Sequence, residues 1–333
     1  MEQNRAGVII AEVGSVHDGS FGNAMKLIEV AAANGADIVK FQTHIAEAET
    51  LKNAPMPPYF SVEPRFEYFK RTAFTQEQWK QLKSHAEERG VGFMSSPFAN
   101  EAVDLLEEIG VTAYKIASGE VTNIPLLEHV ANTGKPVYLS SGMSNWEELD
   151  SAVSVLLSGG PLTVLQCTSS YPCPPEQVGL NVLEEMRDRY GLPIGFSDHT
   201  LGHAAGIAAA ARGATAIEKH ITFSRAMYGS DAANSMEPEE FKVFVQALRD
   251  TWTMATSEID KNDIEKYREM KKIFQKSIVA AKKIYAGEVL EYGAIAFKKP
   301  GNGIPASRYR EVIGREAKRP LAVDDTISFE DLI

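Results

Sequence analysis

Eight short apolar segments alternate with segments of helical periodicity over the first 255 residues of this 333-residue chain. Each apolar segment precedes a stretch with apolar residues at three- and four-residue spacing, typical of an amphipathic helix; residues 100–109 and 182–190 are examples. Eight strand–helix units with parallel strands close into a (β/α)8 barrel, so we predict an α/β fold built on a TIM barrel. The predicted strands are residues 8–13, 38–41, 91–94, 113–117, 136–139, 162–167, 194–196 and 216–220.

An open doubly wound sheet is the alternative to a barrel. Such a sheet usually has fewer strands and carries a glycine-rich phosphate-binding turn near its start. This sequence contains no such turn.

One connection is much longer than the others. Residues 44–74 separate the second strand from a helix predicted over residues 75–89. Long connections in compact domains are often functional, and this one follows the carboxyl end of a strand, where barrels place their active sites. A solvated insertion is the alternative to a packed lid or interface loop. The latter is favoured by the aromatic residues Tyr59, Phe60, Phe66, Tyr68 and Phe69.

The composition changes after the barrel. Residues 256–276 are dense in Lys, Glu and Asp and are predicted to be a linker between a catalytic domain (1–255) and a small domain (277–333). The small domain has short β-branched runs and Gly/Pro turns, which predict a β-rich fold.

Charge and cysteine content exclude some function classes. A net charge of −11 argues against nucleic acid as a partner, because phosphate backbones require a basic face. The two cysteines, Cys167 and Cys173, lie close together and are expected to be free thiols in a reducing cytoplasm. We find no apolar run of signal-peptide or membrane-spanning length, so no membrane association is expected.

Polar residues stand at the predicted carboxyl ends of the strands, where a barrel enzyme builds its site. Lys40 and Lys115, together with several small hydroxyl side chains, predict an anion site that is suited to phosphate. Glu12 and Glu120 supply acid–base or hydroxyl-binding capacity. The hydroxyl side chains at these ends are those of Ser95, Ser96, Ser118, Ser140, Ser141, Ser169, Tyr171 and Ser197.

A histidine stands at or just after the carboxyl end of each of two consecutive predicted strands. His199 lies in the run GFSDHT (195–200), and His220 ends the run AIEKH (216–220). If the strands are adjacent in the barrel, both imidazoles lie at the same mouth and can hold a divalent metal. This pair predicts a metal-assisted enzyme.

Other residues have more ordinary interpretations. His85 and His129 are expected on helix surfaces without a role, whereas His17 and His44 follow strands and remain ambiguous. Tyr171 precedes a proline, so turn packing and substrate contact are both open for it.

Taken together, the strings of residues resemble the sialic acid synthase family. These enzymes condense phosphoenolpyruvate with a sugar and have a (β/α)8 barrel followed by a C-terminal antifreeze-like (SAF) domain. The matching strings are AEVG (11–14), HDG (17–19), VKFQTH (39–44), SSPF (95–98), YKIASGE (114–120), LSSGM (139–143), SSYP (169–172), FSDHT (196–200), EKH (218–220) and, in the tail, KPGNGI (299–304).

The resemblance implies a role for each matching residue. It places Glu120 between the substrates, near the reacting carbons. The catalytic residues that it implies are Glu120, Lys40 and Lys115. The metal, Mn²⁺ or Mg²⁺, would be held by His199 and His220. Phosphoenolpyruvate would be held by Lys40, Ser96, Lys115, Ser118, Ser140 and Ser197. The acylamino sugar would be contacted by Glu12, Gln42, Tyr171, Asp231 and, from the tail, Lys299.

Three departures from the family pattern concern the sugar side. The family often has asparagine where Val16 and Ser169 stand, and arginine where Lys299 stands. The sequence therefore does not decide between N-acetylmannosamine and a 2,4-diacetamido hexose as the sugar.

Three other functions compete with this interpretation. A condensation on an aldose phosphate needs an arginine-rich second phosphate pocket, for which Arg225 is the main candidate. A Schiff-base aldolase needs a lysine without a metal, and the end of the sixth strand offers Cys167 instead. A non-catalytic sugar- or ice-binding module would not need two histidines and two lysines at one mouth.

The resemblance also implies a homodimer with exchanged domains. In such a dimer the small domain of one chain covers the barrel mouth of the other, and the linker over residues 256–276 is long enough to allow this. Closure of this kind excludes water from the site.

Overall fold

The computed structural model describes residues 7–55 and 63–333. Eight parallel strands close into a barrel in sequence order, which confirms the predicted (β/α)8 fold. The strands are β1 Val8–Gly14, β2 Ile38–Thr43, β3 Gly92–Pro97, β4 Tyr114–Ile116, β5 Val137–Ser140, β6 Leu162–Cys167, β7 Ile194–Asp198 and β8 Ala216–His220.

Helices connect these strands and surround the barrel. Two of them, α5 and α8 in the list below, have the bounds predicted from periodicity. The helices of the barrel unit are α1 Phe21–Ala33, α2 Ala46–Glu49, α3 Arg65–Thr72, α4 Gln76–Glu88, α5 Asn100–Ile109, α6 Ile124–Ala131, α7 Trp146–Leu157, α8 Val182–Tyr190, α9 Ala204–Ala211 and α10 Pro238–Thr256. A further helix, α11 Arg268–Phe274, follows in the second unit of the chain. In the described ranges no helix has the length and apolar character required to cross a membrane.

The strands bury both faces, and the two faces differ in composition. Alternate residues such as Ile9 and Ala11 belong to the large core beneath the helices. The residues between them form a second, smaller apolar cluster that includes Ile10, Met94 and Leu165. Because side chains alternate along a strand, the residues two positions after this cluster share its face, which is the barrel interior. That face therefore becomes polar toward the carboxyl ends of the strands.

The long connection after β2 is packed in part: its helix α3 packs against the fold, whereas Leu51 is 76% exposed. It contains the short helices α2 and α3, and the side chains of Phe66 and Tyr68 are buried. Tyr59 and Phe60, which contributed to the prediction of a packed loop, lie outside the described residues. The aromatic residues of α3 thus act as core rather than as solvated surface.

The chain divides into two compact units between Ser257 and Glu258. The second unit has a hydrophobic core of its own, formed by residues such as Ile278, Leu290 and Leu321. Its two strands, β9 Ser277–Ala280 and β10 Ile295–Lys298, pair antiparallel, and isolated bridges and 3₁₀ turns complete this small β-rich fold. The segment 256–276, predicted as a linker, contains α11 and a 3₁₀ turn over Glu265–Tyr267.

A buried ion pair lies on the outer face of β7 and β8. Lys219 Nζ is 2.9 Å from Asp198 Oδ2, and both side chains are at most 1% exposed. Lys219 also donates to the carbonyl oxygens of Thr200 and Gly202. The lysine thereby fixes the position of the turn after β7, and this turn carries His199.

We expect Lys219→Ala to destabilise the barrel by about 3–5 kcal/mol, because it leaves Asp198 buried without its counter-charge. Urea unfolding followed by tryptophan fluorescence reports the barrel alone, since the three tryptophans, Trp79, Trp146 and Trp252, belong to the first unit. The control is Lys26→Ala, which breaks an exposed pair with Glu29 and should change stability by about 1 kcal/mol or less. Equal effects of the two substitutions would contradict a structural role for the buried pair.

Candidate active site

A cavity of about 560 Å³ opens at the carboxyl ends of the barrel strands. It brings together every residue to which the resemblance gave a role except Lys299, which belongs to the second unit. Ser95 and Ser141, which were predicted among the strand-end hydroxyls, do not line it; they hydrogen-bond to the side chains of Thr43 and Gln166 instead. The predicted residues that line the cavity are Glu12, Lys40, Gln42, Ser96, Lys115, Ser118, Glu120, Ser140, Tyr171, Ser197, His199, His220 and Asp231.

Two lysines and two glutamates form a buried charge cluster at the floor of this cavity. Strand register places Glu12 opposite Lys40, and the Lys40 Nζ atom lies 2.8 Å from Glu12 Oε2. Glu218 lies between the two lysines, with carboxylate oxygens 3.7 Å from Lys40 Nζ and 3.6 Å from Lys115 Nζ. The four side chains are no more than 4% exposed, so their charges act on one another with little screening by water.

The two lysines of the cluster differ in basicity. Burial lowers the pKa of Lys40, but the carboxylates of Glu12 and Glu218 outweigh this effect and the pKa is raised. The pKa of Lys115 is lowered, chiefly by burial, which Glu218 opposes and the neighbouring charge of Lys40 reinforces. The pKa of Glu218 is lowered because the two lysines outweigh the effect of its burial.

Small hydroxyl groups surround the lysines. Lys115 Nζ donates to Ser140 Oγ at 2.7 Å, and Lys40 Nζ donates to Ser96 Oγ at 3.4 Å. Ser197 donates to Glu218 Oε1 at 2.9 Å. Cations and hydroxyl donors that converge in a dry cavity form a site for a small, highly charged anion.

One wall of the cavity is built from β1, β2 and the segment after β8. Gln42 Nε2 donates to Glu12 Oε1 at 2.8 Å, and Asp231 Oδ2 accepts from the Ser15 backbone N–H at 2.9 Å. Gly14 has a positive φ of 54°, and a Cβ there would lie 2.5 Å from Asp231 Oδ2. A glycine is therefore required for Asp231 to reach this wall.

The two predicted metal ligands lie side by side, with ring centroids 5.8 Å apart. His199 Nδ1 lies 2.8 Å from the Thr168 carbonyl oxygen, so this nitrogen carries the proton and, in the neutral ring, Nε2 presents its lone pair. Burial lowers the pKa of His199, but Cys167 and the Thr168 carbonyl outweigh burial and the pKa is raised, so binding of a metal at Nε2 requires the loss of a proton. Tyr171 packs on the His199 ring and its hydroxyl is 3.2 Å from Nε2, so the residue combines packing with a place on the cavity wall.

His220 shows why a cation fits between these rings. Its Nδ1 atom is buried and has no hydrogen-bond partner in the described ranges 7–55 and 63–333. Burial, the largest influence, lowers the pKa of His220 and so favours the neutral ring that binds metals. Among the described residues no group of three or more His, Cys, Asp or Glu side chains is arranged for a metal ion, so this chain offers the two imidazoles alone.

Glu120 lies at the rim of the cavity, in a 3₁₀ turn after β4. Its Oε2 atom accepts from Asn123 Nδ2 at 2.8 Å. Burial raises the pKa of Glu120, so this carboxyl holds a proton at a higher pH than an ordinary glutamate. A carboxyl group of this kind is suited to proton transfer.

Lys299 and Arg225 have other surroundings. Lys299 Nζ lies 5.1 Å from the centre of the Phe274 ring within the second unit, and its contact with a sugar stays a prediction. Arg225 is not among the residues that line the cavity; it donates to Glu240 at 3.0 Å instead. The main candidate for a second phosphate pocket is thus engaged elsewhere.

No role was predicted for Glu218 from the sequence, although its carboxylate lies between Lys40 and Lys115. The signal was available in the spacing, since Glu218 and His220 are two residues apart on one strand and must share a face. Lys219 between them faces outward to Asp198. Cys167, predicted only as a free thiol at the end of the sixth strand, also lines the cavity, with Sγ 3.8 Å from His199 Nδ1.

Comparison with known proteins agrees with this geometry. Residues 27–260 match the NeuB family, and residues 275–333 match the SAF domain. The chain belongs to the NeuB family. The NeuB match contains every predicted cavity residue except Glu12, which lies on β1 before the matched range.

Three relatives of this NeuB-family chain have informative names. It is 37% identical to the N,N'-diacetyllegionaminic acid synthase of Campylobacter jejuni, over 96% of this chain and 98% of that protein. It is 33% identical to the human N-acetylneuraminate-9-phosphate synthase, over 98% of this chain and 92% of that protein. The solved N-acetylneuraminic acid synthetase of Leptospira borgpetersenii, in complex with citrate, superposes with a TM-score of 0.69 at 31% identity, covering 79% of this chain and 90% of that one.

Proposed function

We propose that this NeuB-family protein condenses phosphoenolpyruvate with an N-acylated hexosamine to give a nine-carbon 2-keto sugar acid and phosphate. The observation that carries the proposal is the cavity floor, where Lys40 and Lys115 converge with serine hydroxyls beside two imidazoles. The names of the relatives support a product of the sialic acid type. The sugar would be N-acetylmannosamine or a 2,4-diacetamido hexose.

The lysine side of the cavity is assigned to phosphoenolpyruvate. Lys40 and Lys115 would bind its phosphate and carboxylate, with hydroxyl hydrogen bonds from Ser96, Ser118, Ser140 and Ser197. Glu12 and Glu218 hold the two ammonium groups in place. Lysines that are already oriented need little rearrangement as phosphate charge develops, which is the main source of electrostatic catalysis.

The reaction forms one carbon–carbon bond and breaks one carbon–oxygen bond. Carbon 3 of phosphoenolpyruvate attacks the sugar aldehyde, and water adds to carbon 2, where positive charge develops. The resulting tetrahedral centre loses phosphate together with the bridging oxygen and leaves the 2-keto acid. Glu120, with its raised pKa, is assigned to proton handling beside this centre.

The wall built from β1, β2 and the segment after β8, together with Tyr171, is assigned to the sugar. Glu12, Gln42, Tyr171 and Asp231 present carboxylate, amide and phenol groups to the hydroxyl and acylamino groups of the substrate. Lys299 of the small domain would complete this side.

His199 and His220 would hold a divalent metal, Mn²⁺ or Mg²⁺. When bound, such an ion supplies Lewis acidity that polarises the sugar carbonyl. The buried Nδ1 of His220 and the outward lone pair of His199 Nε2 support this assignment. Water and substrate oxygens would complete the coordination.

We expect phosphate release from phosphoenolpyruvate with at least one member of a panel of N-acetylmannosamine and 2,4-diacetamido hexoses. Because water adds at carbon 2, isotopic oxygen placed at the bridge of phosphoenolpyruvate should appear in phosphate, as mass spectrometry can determine. Its recovery in the sugar acid would mean attack at phosphorus. A panel without phosphate release would refute the proposed function.

Replacement of His199 or His220 by alanine should abolish turnover and weaken Mn²⁺ binding, which electron paramagnetic resonance of free Mn²⁺ measures without reference to activity. A chelator should likewise stop the wild-type enzyme, and added Mn²⁺ should restore it. His129→Ala is the matched control, because His129 pairs with Asp104 on the outer helices. Full turnover of the metal-free enzyme would contradict the role of the two histidines.

The homodimer with exchanged small domains predicts that two inactive variants complement each other. Lys115→Ala disables a barrel and Lys299→Ala disables a lid, so a fully exchanged mixture should recover about a quarter of wild-type activity, from the one intact mouth of each hybrid dimer. Light scattering should report a dimer. A fully active monomeric fragment that ends before Ser277 would contradict this arrangement.

A further inference from the structure

His44 occupies an unusual position between the long connection and the sugar side of the cavity. Its ring is stacked between Phe69, with centroids 3.7 Å apart and planes 7° apart, and Phe98, at 4.3 Å and 13°. The side chain is 6% exposed. Both ring nitrogens have polar partners in the ring plane: Nδ1 is 2.8 Å from Glu49 Oε1, and Nε2 is 3.2 Å from Gln42 Oε1.

The partners determine the protons on this ring. An ionised carboxylate only accepts hydrogen bonds, so Nδ1 donates to Glu49. The amide oxygen of Gln42 also only accepts, so Nε2 donates to it. The proton on Nε2 therefore fixes the position of the Gln42 amide oxygen.

The reverse orientation of the Gln42 amide is unfavourable. In the observed orientation Gln42 Nε2 donates to Glu12 Oε1 at 2.8 Å. In the reverse orientation the amide oxygen would take the place of Nε2 and face Glu12 Oε1. Two acceptors would then face each other in a buried site, at the expense of a hydrogen bond. The orientation with the amide NH₂ toward Glu12 and the oxygen toward His44 satisfies all three groups.

The surroundings hold the His44 ring in place. Phe69 and Phe98 pack on its two faces, and Glu49, whose side chain is 4% exposed, lies at its edge. The second carboxylate oxygen of Glu49 accepts from the Ile45 backbone N–H at 3.3 Å. The contact between His44 and Glu49 is therefore buried with its polar atoms satisfied.

The stack also joins separate parts of the fold. Phe69 lies on α3, Glu49 on α2, and Phe98 directly after β3. Gln42 and Glu12 line the cavity on the wall assigned to the sugar. The position of α3 is thus connected to the orientation of a group at the cavity wall through a single ring.

We propose that His44 is a positioning residue whose Nε2–H orients the Gln42 amide so that its NH₂ group is presented to Glu12 and to an acceptor oxygen of the sugar. The inference rests on the proposed function. Packing of α3 against the ring makes sugar affinity depend on the long connection after β2.

The test is the double variant His44→Phe/Glu49→Gln. It retains an aromatic ring in the stack and avoids a buried unpaired carboxylate, but it removes both hydrogen bonds of the ring. We expect the KM for the most active sugar of the panel to rise about tenfold or more, because Gln42 loses its orientation. The KM for phosphoenolpyruvate should stay within about twofold, since neither lysine is altered and Lys40 keeps its contacts with Glu12 Oε2 and Glu218.

Controls separate this role from simple packing. His129→Gln removes a histidine–carboxylate contact on the surface and should leave both KM values unchanged. Gln42→Ala combined with the double variant should add no further increase in the sugar KM, because both changes act through the same amide. A sugar KM that changes less than twofold, or an equal rise in both KM values, would overturn the proposal.

A spectroscopic measurement tests the hydrogen bond to Gln42 without any substrate. With ¹⁵N-histidine labelling and assignment by the His44 variant, Nε2 of His44 should show the shift of a protonated nitrogen. An unprotonated Nε2 would overturn the proposal. If the wild-type enzyme releases no phosphate with any sugar, the proposed function fails, and this measurement still decides the state of His44.

Discussion

The site depends on a buried cluster of four charges, Lys40 and Lys115 with Glu12 and Glu218. Charges removed from water are tolerated only when they are paired, and parallel strand register supplies the pairs by placing Glu12 beside Lys40 and Glu218 between the two lysines. The cluster orients two ammonium groups into a cavity before any anion arrives. A substrate anion therefore meets donors that are already in place, and the carboxylates keep the empty cavity close to neutral.

The same strand ends carry a second buried ion pair, which has a structural role. Because side chains alternate, Glu218 and His220 face the cavity while Lys219, between them, faces the helices and pairs with Asp198. This outer pair holds the carbonyl groups of the turn after β7, the turn that carries His199. The five consecutive residues of β8 thus serve the core, the charge cluster and the support of the turn that carries His199. A single substitution there affects stability or chemistry according to the face that it alters.

Much of the barrel and of its site was predictable because both depend on local periodicity. Alternating strands and helices predicted the fold, and polar residues at strand ends predicted side chains that line the cavity. Glu218 was missed because an unpaired carboxylate is not expected in a barrel core. Its partners, Lys40 and Lys115, are known only once the fold has brought them to face it. The segment 256–276 was read as a linker because it has few apolar residues, yet part of it forms α11, whose hydrogen bonds are local. His44 was ambiguous because its partners are distant or non-periodic: Phe69 and Phe98 contact it only after the chain has folded.

The sequence by itself determined the number and order of the strands, the residue types at their ends, and membership of a family, because these follow from patterns that repeat along the chain. Only the tertiary structure decided which charges neutralise one another, which nitrogen of His199 carries the proton, and how Gln42 is oriented. Those properties depend on distances of a few ångströms between residues far apart in the chain. Pairing energies in a buried site change steeply over such distances, so they become definite only when closure of the barrel has brought the strand ends together.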